Sequence, residues 1–248
     1  MQDGPAVRWD KPEQFLKVVM GIPKVRVRLR CWSIKAGFTE KAEELEEPLR
    51  TVAEAIEEIR QSKTLPPLLG LLLALGNHMN AGTPKGQADG FALHDLSKTR
   101  HTKDNANAAS LLEYAVHALV GGGVGGHVAR MHEEVPHLKE ACKVRMADVQ
   151  AALARLEADA KELACAAQES GDDGGDGGDP FGTVMRGFSE GATLEVERLR
   201  ALLVQVELSF KQLLVFFKVG KKLETEEVFT LLHELVAAVQ AAAPKPAP

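Results

Sequence analysis

An all-α fold, drawn out as an elongated helical bundle with long antiparallel coiled-coil-like helices, is what this sequence predicts. Three observations predict it. Apolar residues recur at three-and-four spacing along three separate stretches, the mark of helices that bury one stripe. Ala and Leu are abundant while aromatics are only 5% of residues, a balance that disfavours a β-sandwich. One short run alternates in the manner of a strand, and no second run offers it a ladder. At 248 residues the chain is long enough to bury a sizeable core.

Residues 1–11 read as a disordered lead-in. Pro12 opens the first helix from an early helical position, and Gly21 and Pro23 end it. Residues 25–30 read Val-Arg-Val-Arg-Leu-Arg. By period alone this is a strand; without a partner strand it is assigned to a helix. Leu45, Leu49, Val52, Ile56 and Ile59 then form a seam spaced four, three, four, three, with acidic residues over the other faces. Pro48 must start or bend this helix. Pro66 and Pro67 punctuate the chain before the Leu-rich run that reaches Gly76. The glycines of 121–126 read as a flexible joint.

A second long helix is expected over 136–169, with Leu138, Cys142, Met146, Val149, Leu153, Leu156, Ala160, Leu163 and Ala167 on its seam. A third is expected over 192–219, with Val196, Leu199, Leu203, Val206, Phe210, Leu213 and Phe217. Each would be roughly 40–50 Å long. Their joint at 171–180 is mostly Gly and Asp, a composition that buries nothing, so the two helices are expected to pack antiparallel around a mobile link. A last amphipathic helix lies within 220–240, carrying Val228, Leu232, Leu235 and Val239, and 241–248 is a Pro/Ala tail.

Composition and motifs leave little room for chemistry. A net charge of -5 gives no nucleic-acid footprint. The longest apolar run, residues 65–75, holds two prolines and is too short to span a bilayer. Cys31, Cys142 and Cys165 show neither pairing nor metal spacing, and their odd number fits a reducing, cytoplasmic setting. Residues 174–182 match one calcium-binding nonapeptide, but such sites need stacked neighbours and there is a single copy. His127, His132 and His137 recur every five residues, a rotation of roughly 140° that shares no helix face. The loop 82–86 lacks the spacing of a nucleotide-binding loop. No cofactor, metal or catalytic group is therefore expected, and no enzyme. What remains is surface charge: Lys24, Arg26, Arg28, Arg30 and Lys35 in one group, Lys98, Arg100 and Lys103 in another. Each is either a solvated face or a surface for an acidic protein partner.

The most informative stretch is Gly76-Asn77-His78-Met79-Asn80. Alone it reads as a helix stop, because Gly and Asn both tolerate the left-handed turn. It is succeeded in order by Gly90-Phe91-Ala92-Leu93, by Leu96-Ser97-Lys98 leading to Thr102-Lys103-Asp104, and by Leu111-Leu112-Glu113-Tyr114. Near the end stand Leu213-Leu214-Val215-Phe216-Phe217-Lys218 and Glu226-Glu227-Val228-Phe229-Thr230-Leu231-Leu232. This series resembles the formin homology two domain, the actin-assembly module of formins, over roughly residues 12–240. That family carries Tyr where this chain has His78, and Leu-x-Asp where it has Thr99-Arg100-His101. Ile22-Pro23 also fits the family, where a helix comes next.

The resemblance implies a knob end and first long helix over 12–64, a post-like region over 65–135 and paired long helices over 136–219. It implies that the protein binds actin, at the cytoskeleton, and in full-length form contributes to filament nucleation and barbed-end elongation. The lysine of the family's Asp-Thr-Lys segment faces actin, which puts Lys103, with Lys98 and Arg100 beside it, at that surface. The post receives a Trp-bearing lasso from a partner subunit, which assigns Gly76, Asn77, Met79, Asn80, Gly90 and Phe91 to the receiving site. The bland alternative for Met79, Phe91 and Leu93 is that they fill the local core. Trp9 and Trp32 stand in no Gly-x-x-Trp lasso context, so the chain is expected to supply the post without the lasso and not to close the family's ring. The alternative function is a lasso-less helical scaffold or microtubule-associated module without actin assembly activity.

Overall fold

The computed structural model describes residues 10–84, 86–90, 92–103, 108–170, 179–217 and 223–243, with the side chains of 123–126 set aside. The described residues form helices and turns; one isolated antiparallel bridge, Lys103 with Ser110, is the single β-type pairing among them. Residues 1–9 of the expected lead-in, the Gly/Asp joint at 171–178 and most of the Pro/Ala tail lie outside the described residues, while Asp10 and Lys11 already cap and open the first helix. The chain divides into two compact units, Met1–Glu44 with Leu153–Leu199, and Leu45–Ala152 with Arg200–Pro248.

In the first unit, α1 (Lys11–Met20) begins at a capping box in which the Asp10 N–H donates to Glu13 at 2.9 Å. α1 buries none of its residues. α2 (Val25–Gln61) starts after Lys24, whose φ of 49° makes the left-handed turn between the helices. The alternation of 25–30 does not describe burial. Val25 and Arg28 are half-buried and Cys31 and Ile34 buried, a helical period, while Val27 and Leu29 stay 40% and 61% exposed. Arg28 is the reason the alternation misleads. Its stem is shielded while its guanidinium lies 4.7 Å over the Phe181 ring and pairs with Asp179.

α9 (Met146–Glu169) runs antiparallel to this part of α2, as ion pairs in reversed order show: Lys24 with Glu169 (2.7 Å), Arg30 with Glu162 (3.5 Å), and Lys41 with Asp159 (2.9 Å). α10 (Phe181–Phe216) runs parallel to it, because Arg28 meets Phe181 and Phe38 meets Phe188, edge-on at 5.7 Å. α9 and α10 are therefore antiparallel to each other, as the seams predict. α10 starts well before the expected residue 192. Gly187 and Gly191 lie in this added stretch, a Cβ at either would meet nothing, and Phe181, Met185, Ser189 and Ala192 carry the buried stripe through them.

The second unit contains the remainder of α2, where Leu45, Leu49, Val52, Ile56 and Ile59 are all buried. Pro48 is inside the helix and does not end it. α3 (Leu65–Met79) opens with both prolines in its first turn, where their missing N–H groups cost nothing. α4 (Leu96–Thr99) comes after one 3-10 turn, and α5 (Leu111–Leu119) starts at a capping box between Ser110 and Glu113. The glycines expected to form a loose joint instead continue helically, through a π-helical turn (Val120–Val124) into α6 (Gly125–Val128). α7 (Met131–Glu134) and α8 (Leu138–Ala141) are single turns. The helix expected from 136 is thus interrupted. Lys143 N–H and Val144 N–H bond three residues back, to Glu140 and Ala141 (3.0 and 3.2 Å), before α9 starts at Met146. α11 (Thr225–Ala242) buries Phe229 and Val236 as well as its expected seam, because it packs on α5, α7 and α8. No described helix is long and apolar enough to cross a membrane.

Glu134 ties α7 to the turn between α2 and α3. Its carboxylate accepts from Ser62 Oγ (2.6 Å), Thr64 Oγ1 (2.7 Å), Lys63 N–H (3.1 Å) and Thr64 N–H (3.2 Å). Burial pushes its pKa up, but these donors prevail and hold it below the ordinary carboxylate value. Because the folded pKa is the lower one, this stabilisation is full above the unfolded value and is lost as pH falls through the folded value. Thr64 is fully buried, so Glu134→Ala strands its donors and is expected to cost about 2–4 kcal/mol in urea melts. A loss under about 0.5 kcal/mol would show that water replaces the carboxylate without penalty.

Candidate functional site

The signature stretch does not stop α3 at Gly76; the helix continues to Met79. Beyond Met79 the chain turns into a loop fastened back onto the helix. Asn77 acts as a surrogate peptide: its Nδ2 donates to Ala88 O (2.9 Å) and its Oδ1 accepts from Ala88 N–H (3.0 Å). Asn80 Nδ2 donates to Gly76 O (2.8 Å), Thr83 Oγ1 to Asn80 O (2.7 Å), and Gly86 N–H to Thr83 O (3.0 Å). Gly82 takes the left-handed turn at φ 81°. Gly86 is there for space, since a Cβ would run into the Asn80 carbonyl oxygen. Gly76 has neither role: its φ is not positive, and a Cβ on it would meet nothing within 4 Å.

Two depressions flank this helix end. The smaller, about 150 Å³, is lined by Gly76, Asn77, Asn80 and Gly90 with Leu72 and Leu111. The larger, about 470 Å³, has Leu75, Met79, Leu111 and Tyr114 as its apolar lining, with His78 and Lys103 as its basic groups. Leu111 walls both. Four of the six residues assigned by resemblance to the receiving site therefore share one depression, and Met79 lines its neighbour. Phe91 lies outside the described residues. Met79 is 57% exposed and fills no core, whereas Leu93 does. Tyr114, half-exposed in the larger cleft, was visible in the sequence only as part of a helix pattern.

The three cations of the second basic group are differently placed. Lys98 donates to Asp95 at 2.6 Å, and that hydrogen bond chiefly holds the Asp95 carboxyl below its ordinary value. Arg100 is paired with Glu234 of α11 at 2.7 Å. Lys103 makes no ion pair among the described residues, and it borders the larger cleft. The first basic group is largely spent inside the first unit: Lys24, Arg28 and Arg30 pair with acids, and the Lys35 ammonium sits 4.5 Å over the Phe188 ring. Among the described residues no three His, Cys, Asp or Glu side chains gather to hold a metal.

Two substitutions separate geometry from surface. Gly86→Ala is expected to cost about 1–3 kcal/mol, because a backbone oxygen must move. Gly76→Ala is expected to be neutral or to gain up to about 1 kcal/mol of helix propensity while narrowing the smaller cleft. Denaturant melts that reversed this order would refute the placement of the 80–88 loop.

A sequence model of the Formin Homology 2 Domain matches residues 3–240. Formin-C of Dictyostelium discoideum is 32% identical over 80% of this chain and 17% of its own length. Formin-A of the same organism is 27% identical over 91% of this chain and 18% of its own length. Formin-2 of Mus musculus is 31% identical over 91% of this chain and 15% of its own length. The chain thus spans less than a fifth of each of these relatives.

Proposed function

The chain belongs to the Formin Homology 2 Domain family, and we propose that it is the post-bearing part of an actin-assembly module at the cytoskeleton. It would contribute to filament nucleation and barbed-end elongation within a longer protein, by binding and not by chemistry. In this reading Lys103 faces actin, and the depressions at the end of α3 receive an apolar lasso segment from a partner subunit. The observation that carries it is a lysine with no ion pair among the described residues, set beside adjoining preformed clefts lined by Gly76, Asn77, Asn80 and Gly90 on one side and Met79 on the other. A preformed recess spares a bound segment the cost of making one.

Lys98 and Arg100 contribute less in this reading, because both already hold an internal carboxylate. Co-sedimentation with filamentous actin tests the assignment. Lys103→Glu sets a like charge against an acidic partner and is expected to cost on the order of 1–3 kcal/mol, roughly 5- to 150-fold in Kd, with the melting temperature little changed. Arg100→Glu is expected to lower stability as well, because it repels Glu234. Equal actin affinity for wild type and Lys103→Glu would remove Lys103 from the surface. Wild-type protein that never pellets with actin would favour the scaffold or microtubule-associated reading. A Trp-bearing lasso peptide is expected to raise the melting temperature by mass action, and no shift at saturating peptide would count against the receiving site.

A further inference from the structure

The connection between α7 and α8 carries a charge cluster that the proposed function does not invoke. His137 stands there beside Pro136, and its ring is set between two carboxylates from consecutive turns of α2. Nδ1 lies 2.5 Å from Glu58 Oε1, and Nε2 lies 3.1 Å from Glu54 Oε2. The His137 backbone N–H also donates to Glu58 Oε2 at 3.1 Å. A neutral imidazole has one N–H and one bare lone pair, so it can serve only one of these acids and turns its lone pair on the other. The imidazolium keeps the Nδ1 hydrogen bond to Glu58 and adds a charge attraction to Glu54, whose contact with Nε2 is an ion pair and not a hydrogen bond.

We propose that His137 is a proton-operated clasp: as imidazolium it fastens the α7–α8 connection to the 54–58 turn of α2, and loss of the proton releases it. The charges bearing on the ring all come from α2: Glu58, Glu54 and, opposing them, Arg50, which also reaches Glu54 at 3.5 Å. On the ring's own segment, Glu134 is committed to residues 62–64 and Glu140 to Lys143. On α11, which packs against α7 and α8, Glu227 closes its helix's capping box and Glu234 holds Arg100, while Thr230 bonds Cys142.

The hydrogen bond to Glu58 is the largest influence on the ring and raises its pKa above the ordinary histidine value. The clasp is therefore fully closed below about 6.5, the unfolded value, and opens as pH rises through the folded one. Opening is local, because Glu134 still anchors residues 62–64 and Leu138 and Ala141 remain in the core. The loosened segment supports α11, and α11 in turn packs on α4 and α5 beside the clefts.

Proton NMR of the intact chain, with the His137 signal identified by its absence in His137→Gln, gives the midpoint directly. Hydrogen exchange of residues 131–142, corrected for intrinsic rates, gives the opening. The midpoint is expected above about 6.5, with exchange at about pH 8.5 roughly three- to tenfold faster than at about pH 6. In His137→Gln the exchange is expected to be independent of pH. Glu54→Gln keeps the ring and is expected to lower its midpoint. The proposal is overturned by a midpoint at or below the ordinary value, by the same pH-dependent exchange in His137→Gln, or by an unchanged midpoint in Glu54→Gln.

Discussion

Both units depend on one unbroken apolar stripe along α2. Cys31, Ile34, Phe38, Ala42, Leu45, Leu49, Val52, Ile56 and Ile59 are all buried, and the spacing between neighbours stays near one helical turn throughout. Each large member contributes about 1.5–3 kcal/mol on burial. That total is what allows Pro48 to sit in the helix interior, where a proline costs about 3 kcal/mol. Leu49 beside it is one of the most deeply buried side chains in the chain. In the first unit the stripe receives α9 and α10; in the second it supports the turn carrying Ser62 and Thr64, from which α3 departs toward the clefts.

The same stripe explains how much of the fold could be read in advance. Seams of three-and-four spacing report burial directly, so the seam residues of α2, of α9 from Val149 onward and of α11 are core in the structure. The errors fall where a residue type and a period disagree. Glycines signal interruption, yet a helix needs only that nothing else be required of the position, and the open space around Gly121, Gly122, Gly187 and Gly191 meets that condition. Conversely, Leu138, Cys142 and Met146 keep helical spacing across a real break, because a turn bonded three residues back advances the chain at nearly the same angular rate. The run at 25–30 alternates by composition, but Arg28 spends its long stem as an apolar residue would.

The candidate site was proposed from the sequence as a set of residues and not as a geometry. Residues of the Gly-Asn-x-Met-Asn, Gly-Phe-x-Leu and Leu-Leu-x-Tyr elements line the two clefts together. The reason for each residue was another matter. Gly76 reads as a stop and is instead a bare helical position whose missing side chain keeps a depression open. Gly86, read in the sequence only as the end of a loop without nucleotide-binding spacing, is the glycine that the backbone packing requires. Asn77 supplies, through one side chain, the two hydrogen bonds that a strand neighbour would supply. Contacts of this kind join residues eleven apart through a loop with no period, so no periodic pattern reveals them.

Charge carries the last step from fold to recognition. The chain places most of its conspicuous cations in groups, and a group invites reading as a binding face. The structure instead spends them pairwise: Arg30 and Lys41 on Asp159, Arg28 on Asp179, Lys98 on Asp95, Arg100 on Glu234. A cation already holding a carboxylate must give up that partner before it serves another, so its net contribution to a partner is small even when it is exposed. In the proposed reading, recognition therefore falls to charges that folding leaves over. Among the described residues Lys103 is the member of its group with no ion pair, although its charge still acts on Glu113, and in the proposed reading it is the cation offered to a partner. It borders the larger of two adjoining clefts, where apolar area is also unspent. A partner that buries both at once gains from each without disturbing an internal pair, and the end of α3 is the place in the second unit where the two coincide.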